Sequence, residues 1–197
     1  RVAVAVSRDR LTEEYVVLVH RDSGIEDVRE LRGRRLVVLQ NPRMSLAMVW
    51  VDTLLMQKGL EPTSGFCGGV TSVNKLSKVV LPVFFGQSDG CVVTRRGFQT
   101  MSELNPQVGK TLRVLAVSPE MVPSGFIFRS ESASSFRDQM LTEMGRLSDS
   151  PAGQQILTLI RADRVEEKPI SCMAGAFELL ATHERLSSLI GKSMEAN

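Results

Sequence analysis

An α/β fold is predicted by three features of the 197-residue sequence. Apolar, β-branched runs alternate with segments of helical periodicity. The joins between them are short and carry Gly, Pro, Asn or Ser. Several apolar runs are continuous, as in strands covered on both faces of a parallel sheet.

The elements follow in order. "RVAVAVSRD" opens close to a strand, and "EYVVLVH" (residues 14–20) reads as a second. "DSGIEDVRELRGR" turns into a short helix before the buried strand "RLVVLQ" (residues 35–40). "LAMVWVDTLLMQKG" places Leu46, Trp50 and Leu54 on one helical face, with Gly59 as its C-terminal stop. "GFCGGVT" (residues 65–71) is a short strand or a strand end, with Thr71 and Ser72 expected in the loop after Val70. "SVNKLSKVVLPVFFG" has Leu76, Val79, Val80, Val83 and Phe84 at helical spacing, although Pro82 should kink a helix there and leaves a strand as the alternative. "DGCVVT" and "LRVLAVS" read as strands on either side of the helix and turn "RRGFQTMSELNPQVG".

After about Ser130 the character changes. "SASSFRDQMLTEMGRLSDS" aligns Phe136, Met140, Met144 and Leu147 along one stripe. "SPAGQQILTLIRAD" restarts a helix with Ser150 as cap and Pro151 at its first position. "RVEEKPIS" is extended, and "GAFELLATHERLSSLIG" closes the chain as a helix. These late helices need a surface to cover, either the β/α region or a lobe built upstream.

Composition excludes several classes. A charged fraction of 23% with 43% apolar residues describes a globular chain rather than a disordered one. A net charge of +2 gives no global argument for nucleic acid or a membrane surface. Cys67, Cys91 and Cys172 lack CxxC spacing, and His20 and His183 do not cluster with them, so no metal site is expected. An odd cysteine count permits at most one internal disulfide, and buried thiols are the simpler reading. Neither GxGxxG nor GxxxxGK[ST] occurs, no Ser-His-Asp arrangement is suggested, and no cofactor is expected. An enzyme using Cys67 or Cys91 is the catalytic alternative.

Parallel sheets bind ligands at the carboxyl ends of their strands, which directs attention to the loops after Gln40, Val70 and Val93. In "QNPRMS", Ser45 is placed to cap the next helix, and Arg43 can offer forked hydrogen bonds to an anion. In "GGVTSVN", the glycines admit close backbone approach, and Thr71, Ser72 and Asn74 bring polar groups. Thr94 and Arg95 stand at the carboxyl end of "CVVT". Asp89, at the amino end of that strand, reads as a turn residue instead.

The order of "DSGIEDVRELRGRRLVV", "LLMQKGLEP" and "NKLSKVVLPVFFGQSDGCVVTRRGFQTMSELNPQVGKTLRVLAVSP" resembles the phosphonate-type periplasmic solute-binding proteins of ABC transporters. These belong to the type 2 periplasmic-binding-protein superfamily, and the resemblance spans Asp22 to Pro119. The helices from Ser134 to Asp163 resemble the family's downstream pair. The resemblance implies two α/β lobes with ligand in the cleft between them. Lobe II would be complete over residues 21–117; lobe I would be partial, from residues 1–20 and 118–197. The family's opening β/α units have no counterpart here. An incomplete lobe I would leave apolar helix faces open to self-association or strand exchange.

The family's Ser-Thr-Ser-Gly loop corresponds to Arg43-Met44-Ser45-Leu46, where only Ser45 matches. The resemblance therefore carries Ser45 over as a ligand contact. Arg43 then substitutes as an anion partner, or Met44 fills the pocket against small ligands. The function implied is non-catalytic, extracytoplasmic binding of a small anionic or zwitterionic solute, phosphonate- or phosphate-like, for an ABC permease. Alternatives are a ligand-sensing domain with a signalling partner, or the effector domain of a LysR-type regulator.

Overall fold

The computed structural model describes residues 1–129 and 134–195. The chain runs β1 (Val2–Val6), β2 (Tyr15–His20), β3 (Arg35–Leu39), α1 (Ala47–Gln57), α2 (Thr63–Phe66), β4 (Gly69–Val73), α3 (Leu76–Phe84) and β5 (Gly90–Thr94). It continues through α4 (Arg95–Leu104), α5 (Pro106–Thr111), β6 (Leu112–Val117), β7 (Gly125–Ile127), α6 (Ser134–Gly145), α7 (Pro151–Ile160), β8 (Arg164–Lys168) and α8 (Ala174–Glu195). None of the described helices is long and apolar enough to cross a membrane.

Two sheets result. The larger has the order β4-β3-β5-β2-β6, and the smaller β7-β1-β8. In the larger sheet β3 runs parallel to β4 and β5, but β2 runs antiparallel to β5 and β6. The expectation of parallel layers is thus corrected to a mixed sheet. Continuous apolar runs report burial on both faces, and Val16 to Val19 are fully buried, but burial does not encode strand direction. Residues 15–20, grouped on sequence with the first lobe, hydrogen-bond into the larger sheet.

Local chemistry explains most element ends. Asp27 and Glu30 form a capping box over the short helical turn Val28–Leu31. Gly59 takes φ +74° just past α1, a left-handed position that glycine adopts without Cβ strain. Pro82 lies inside α3, near its end, and leaves only the carbonyl of Lys78 without its helical donor; its own carbonyl accepts from Gln87 N–H at 2.7 Å. The β-branched face Val79, Val80 and Val83 is fully buried, so packing decides for helix at this segment.

Helix α1 is buried nearly all round, through Ala47, Trp50, Val51, Thr53, Leu55 and Met56. It lies between the sheet and α8, where Ser187 Oγ meets Met56 Sδ at 3.7 Å. That placement gives α8 the surface it required. The smaller sheet has its own core, in which Ala3 and Val165 pack with Leu141 of α6 and Leu157 of α7. Only the later part of the expected stripe packs, with Met144 and Leu147 against this core beside Leu141. Leu141 is its buried residue, whereas Phe136 is 54% exposed. The small sheet offers a short, narrow surface, and only the face through Leu141 and Met144 reaches it.

Along β8, Glu166 receives Arg164 at 2.6 Å and Lys168 at 2.7 Å. Bonds from Lys168 and Arg164 hold the Glu166 carboxyl below its ordinary value of 4.5. A depressed carboxyl pKa contributes stability above the unfolded value and loses it as pH falls through the folded one. Glu166→Gln is therefore expected to flatten the loss of thermal stability between about pH 5 and 3. Melting curves across that range check it; a variant as acid-sensitive as the parent would remove Glu166 from the account.

Candidate functional site

The sheets are joined by two crossings, residues 7–14 and 118–124, which hydrogen-bond to each other. Glu13 N–H donates to Met121 O at 2.8 Å, and Met121 N–H returns to Glu13 O at 3.0 Å. Ser118 Oγ accepts from Tyr15 N–H at 2.8 Å. Between the lobes, the carboxyl ends of β3 and β5 face the turn that follows β1.

Beyond β3, Asn41 Oδ1 accepts from Arg43 N–H at 2.9 Å and starts the helical turn Pro42–Met44. This turn drives Arg43 inward, to 8% exposure. Its Nε donates to the Glu13 carboxylate, and its carbonyl accepts from Tyr15 Oη at 3.0 Å. Burial pushes the Tyr15 phenol well above its ordinary pKa, so it stays a neutral donor at physiological pH. The Arg43 Nη1 and Nη2 atoms are buried without a hydrogen-bond partner. Leaving nitrogens of a buried guanidinium unsatisfied is costly, so water or a bound group has to complete them.

Beyond β5, Thr94 Oγ1 accepts from Gly97 N–H at 3.0 Å and caps α4. Arg95 pairs with Glu14 at 2.6 Å, and Arg96 follows it. Across the cleft, Ser7 and Arg10 close a tight turn in which Arg8 and Asp9 have φ of 49° and 61°. Non-glycine residues in this region carry about 1–3 kcal/mol of strain each and persist only where neighbours impose it. Here Asp163 Oδ2 accepts from Arg8 N–H at 2.5 Å, and Arg164 holds Asp9 at 2.9 Å. Arg161, the left-handed cap of α7 at φ 55°, completes this wall.

Two adjoining clefts of about 350 and 270 Å³ result, sharing Arg8, Glu13 and Arg96. Their carboxylates are each taken by an arginine: Glu13 by Arg43, Glu14 by Arg95, and Glu120 by Arg10 at 3.9 Å. Among the described residues, Arg8, Arg96 and Arg161 line the clefts with no ion pair of their own. The result is a concave surface with excess positive charge. A third, solvent-open chamber of about 490 Å³ is lined by Val38, Met44, Ser45, Met48 and Ser72 and shares Leu39 and Asn41 with the second cleft.

The residues expected from sequence are distributed unevenly. Arg43 and Thr94 line the second cleft, Arg95 the first, and Met44, Ser45 and Ser72 the chamber. Ser45 is not the helix cap it was expected to be. Its Oγ donates to Pro123 O at 2.6 Å, and Leu46 stands at the N-cap of α1, with no side-chain cap. Thr71 and Ser72 lie within the edge strand β4, paired with Val37 and Val38, not in a loop. Side chains alternate along a strand, so only Ser72 meets the chamber; Thr71 and Asn74 line none of these clefts. Asp89 sits at the opposite end of the sheet, where it accepts from Arg35 N–H at 2.8 Å. Cys67, Cys91 and Cys172 are free thiols, and burial pushes Cys67 up to about 11 and Cys91 higher still.

Sequence reasoning missed Arg8, Glu13, Arg96 and Arg161. The adjacent Arg95-Arg96 at a strand end was a usable signal for one of them. The others belong to the opposite wall and the crossing, which only the fold brings near.

Comparison with known proteins agrees with this architecture. Residues 2–168 match the family model described as ABC transporter, phosphonate, periplasmic substrate-binding protein. No curated protein sequence matches the chain. XAC2383 from Xanthomonas citri, solved bound to ATP, is similar in structure with a TM-score of 0.68 at 16% identity, covering 95% of this chain and 73% of that one. PhnD1 from Prochlorococcus marinus, solved with methylphosphonate, gives 0.56 at 16% identity, covering 90% and 69%. The binding-protein component of an ABC phosphonate transporter, PA3383 from Pseudomonas aeruginosa, gives 0.55 at 12% identity, covering 99% and 74%. These likenesses establish the fold as that of type 2 periplasmic binding proteins. With the family model matched over most of its length, the chain belongs to the phosphonate periplasmic substrate-binding proteins of ABC transporters.

Proposed function

We propose that the chain binds a small phosphonate- or phosphate-like anion in the cleft between its lobes and presents it, in the periplasm, to an ABC permease. The observation that carries this reading is the guanidinium of Arg43, buried with two unpartnered nitrogens beside Arg8, Arg96 and Arg161, which pair with no carboxylate among the described residues. An anion placed there would complete those hydrogen bonds, and Arg8, Arg96 and Arg161 would neutralise it. Charge-assisted bonds of this kind are roughly twice as strong as neutral ones.

The cleft is divided between the lobes, with Arg43, Thr94 and Arg96 on one wall and Arg8 and Arg161 on the other. A ligand touching both favours the closed arrangement, and the two crossings supply the hinge. No covalent step is required. Burial raises the Cys67 and Cys91 thiols above their ordinary pKa, which disfavours the reactive thiolate. Both lie away from the clefts.

Calorimetric titration with methylphosphonate, phosphate, sulfate and neutral amino acids tests the proposal. At least one phosphorus oxyanion should bind, more weakly as salt rises. Arg96→Ala should weaken that binding by about 1.5–3 kcal/mol, without changing the far-UV spectrum. An Arg96→Ala protein with unchanged affinity would place the anion elsewhere, and absence of binding by every anion would end the reading.

A further inference from the structure

We infer that the ligand is an extended organic anion: two linked anionic groups in the arginine clefts, and an uncharged body in the chamber beyond them. This rests on the anion-binding reading above and specifies its substrate class.

The first argument is charge. Once Glu13, Glu14 and Glu120 are paired, Arg8, Arg96 and Arg161 remain, and Arg43 has open nitrogens. Clustered cations on a concave surface repel one another, and the repulsion is relieved by the negative charge brought in. A single phosphonate group carries at most two charges and reaches only the arginines around one point. Arg8 and Arg96 line both clefts, whereas Arg161 and Arg43 line only the second and Arg95 only the first. Two linked anionic groups can engage both sets at once.

The second argument is space and polarity. The chamber of about 490 Å³ lies beside the second cleft and shares Leu39 and Asn41 with it as walls. Val38, Leu39, Pro42, Met44 and Met48 supply its apolar walls, and Gln40, Asn41, Ser45 and the edge-strand Ser72 its uncharged polar groups. Among the described residues, no arginine, lysine, aspartate or glutamate lines it. Volumes of this size accommodate an organic group, and apolar walls with a few polar atoms favour an uncharged one. Methionine walls adapt to varied shapes. Met44 thus shapes a chamber for the body of a ligand while its neighbour Arg43 turns toward the charges.

Adenosine diphosphate, pyrophosphate, methylphosphonate and adenosine are titrated calorimetrically into the intact chain and into Ser72→Phe. Phenylalanine suits an exposed strand position and fills chamber space. The diphosphate ester is expected to bind at least about tenfold more tightly than pyrophosphate, and pyrophosphate at least about tenfold more tightly than methylphosphonate. Ser72→Phe should abolish the first ratio and leave pyrophosphate within about twofold. Adenosine alone should not bind. Methylphosphonate binding as tightly as either diphosphate overturns the inference but leaves the anion site standing. Equal weakening of all ligands by Ser72→Phe removes the chamber's role and overturns it too. If no anion binds, the functional reading itself fails.

Discussion

Arg43→Ala is expected to destabilise the protein by about 3–5 kcal/mol, the range for removing one partner of a buried ion pair. Glu13 and Arg43 are each 8% exposed, and the bond between Glu13 and the Arg43 Nε joins the first crossing to the turn after β3. Without the guanidinium, the Glu13 carboxylate stays buried with no counter-charge. A double variant, Glu13→Leu with Arg43→Met, removes both charges and keeps apolar volume, so it should recover most of the stability. Urea unfolding of the parent, both single variants and the double variant measures this. A single variant no less stable than the double would show that the pair is hydrated and energetically idle. Anion binding should be lost in the double variant despite its stability, separating the structural part of Arg43 from its part in the cleft.

Gly68→Ala should cost about 3 kcal/mol, at the upper end for overpacking. A Cβ at Gly68 would lie 2.2 Å from Gly33 O and 2.8 Å from Gly33 C, and both are backbone atoms that no rotamer change can move. The two turns are tied at this point, with Gly33 N–H donating to Phe66 O at 2.8 Å and Gly68 N–H to Arg34 O at 2.9 Å. Arg32 stacks over the Phe66 ring at 4.6 Å beside them. Relief therefore requires separating the start of β4 from the start of β3, the strands whose far ends build the cleft and chamber. Gly69→Ala is the control, because nothing lies within 4 Å of its Cβ position and its backbone is ordinary. Equal midpoints for the two variants in urea would show that the close approach at Gly68 relaxes freely.

Much of the fold was legible because its signals are local. Leu46 and Trp50, spaced for one helical face, are buried in the core with Leu54 packed beside them. Gly59 stops α1, and Ser150 and Pro151 start α7, with Ser150 Oγ accepting from Gly153 N–H at 3.1 Å. Even the ambiguous Leu76–Phe84 segment carried the right periodicity, although Pro82 argued against it. Asp89 was rightly read as part of a strand join, since the residues bonding it, Arg34 and Arg35, serve the amino end of the sheet.

The site was less legible because it is made of contacts between distant positions. Arg43 was noticed as an anion partner, but nothing near it in sequence shows that Glu13, thirty positions earlier, would draw it inward. Thr71 and Ser72 looked like loop hydroxyls because an exposed edge strand has no alternation to reveal it. Arg8 and Arg161 were invisible, since left-handed backbone at a non-glycine residue is imposed by neighbours such as Asp163 and not by the residue itself. By itself the sequence determined the class of fold, the order of most elements, and the family to which their pattern belongs. Those depend on side-chain spacing along one segment. Strand direction in the larger sheet, the seat of α8 on α1, and the gathering of unpaired arginines were decided only by the tertiary structure. Each requires two segments far apart in the chain to meet, and the charge balance of a cleft exists only once its walls face each other.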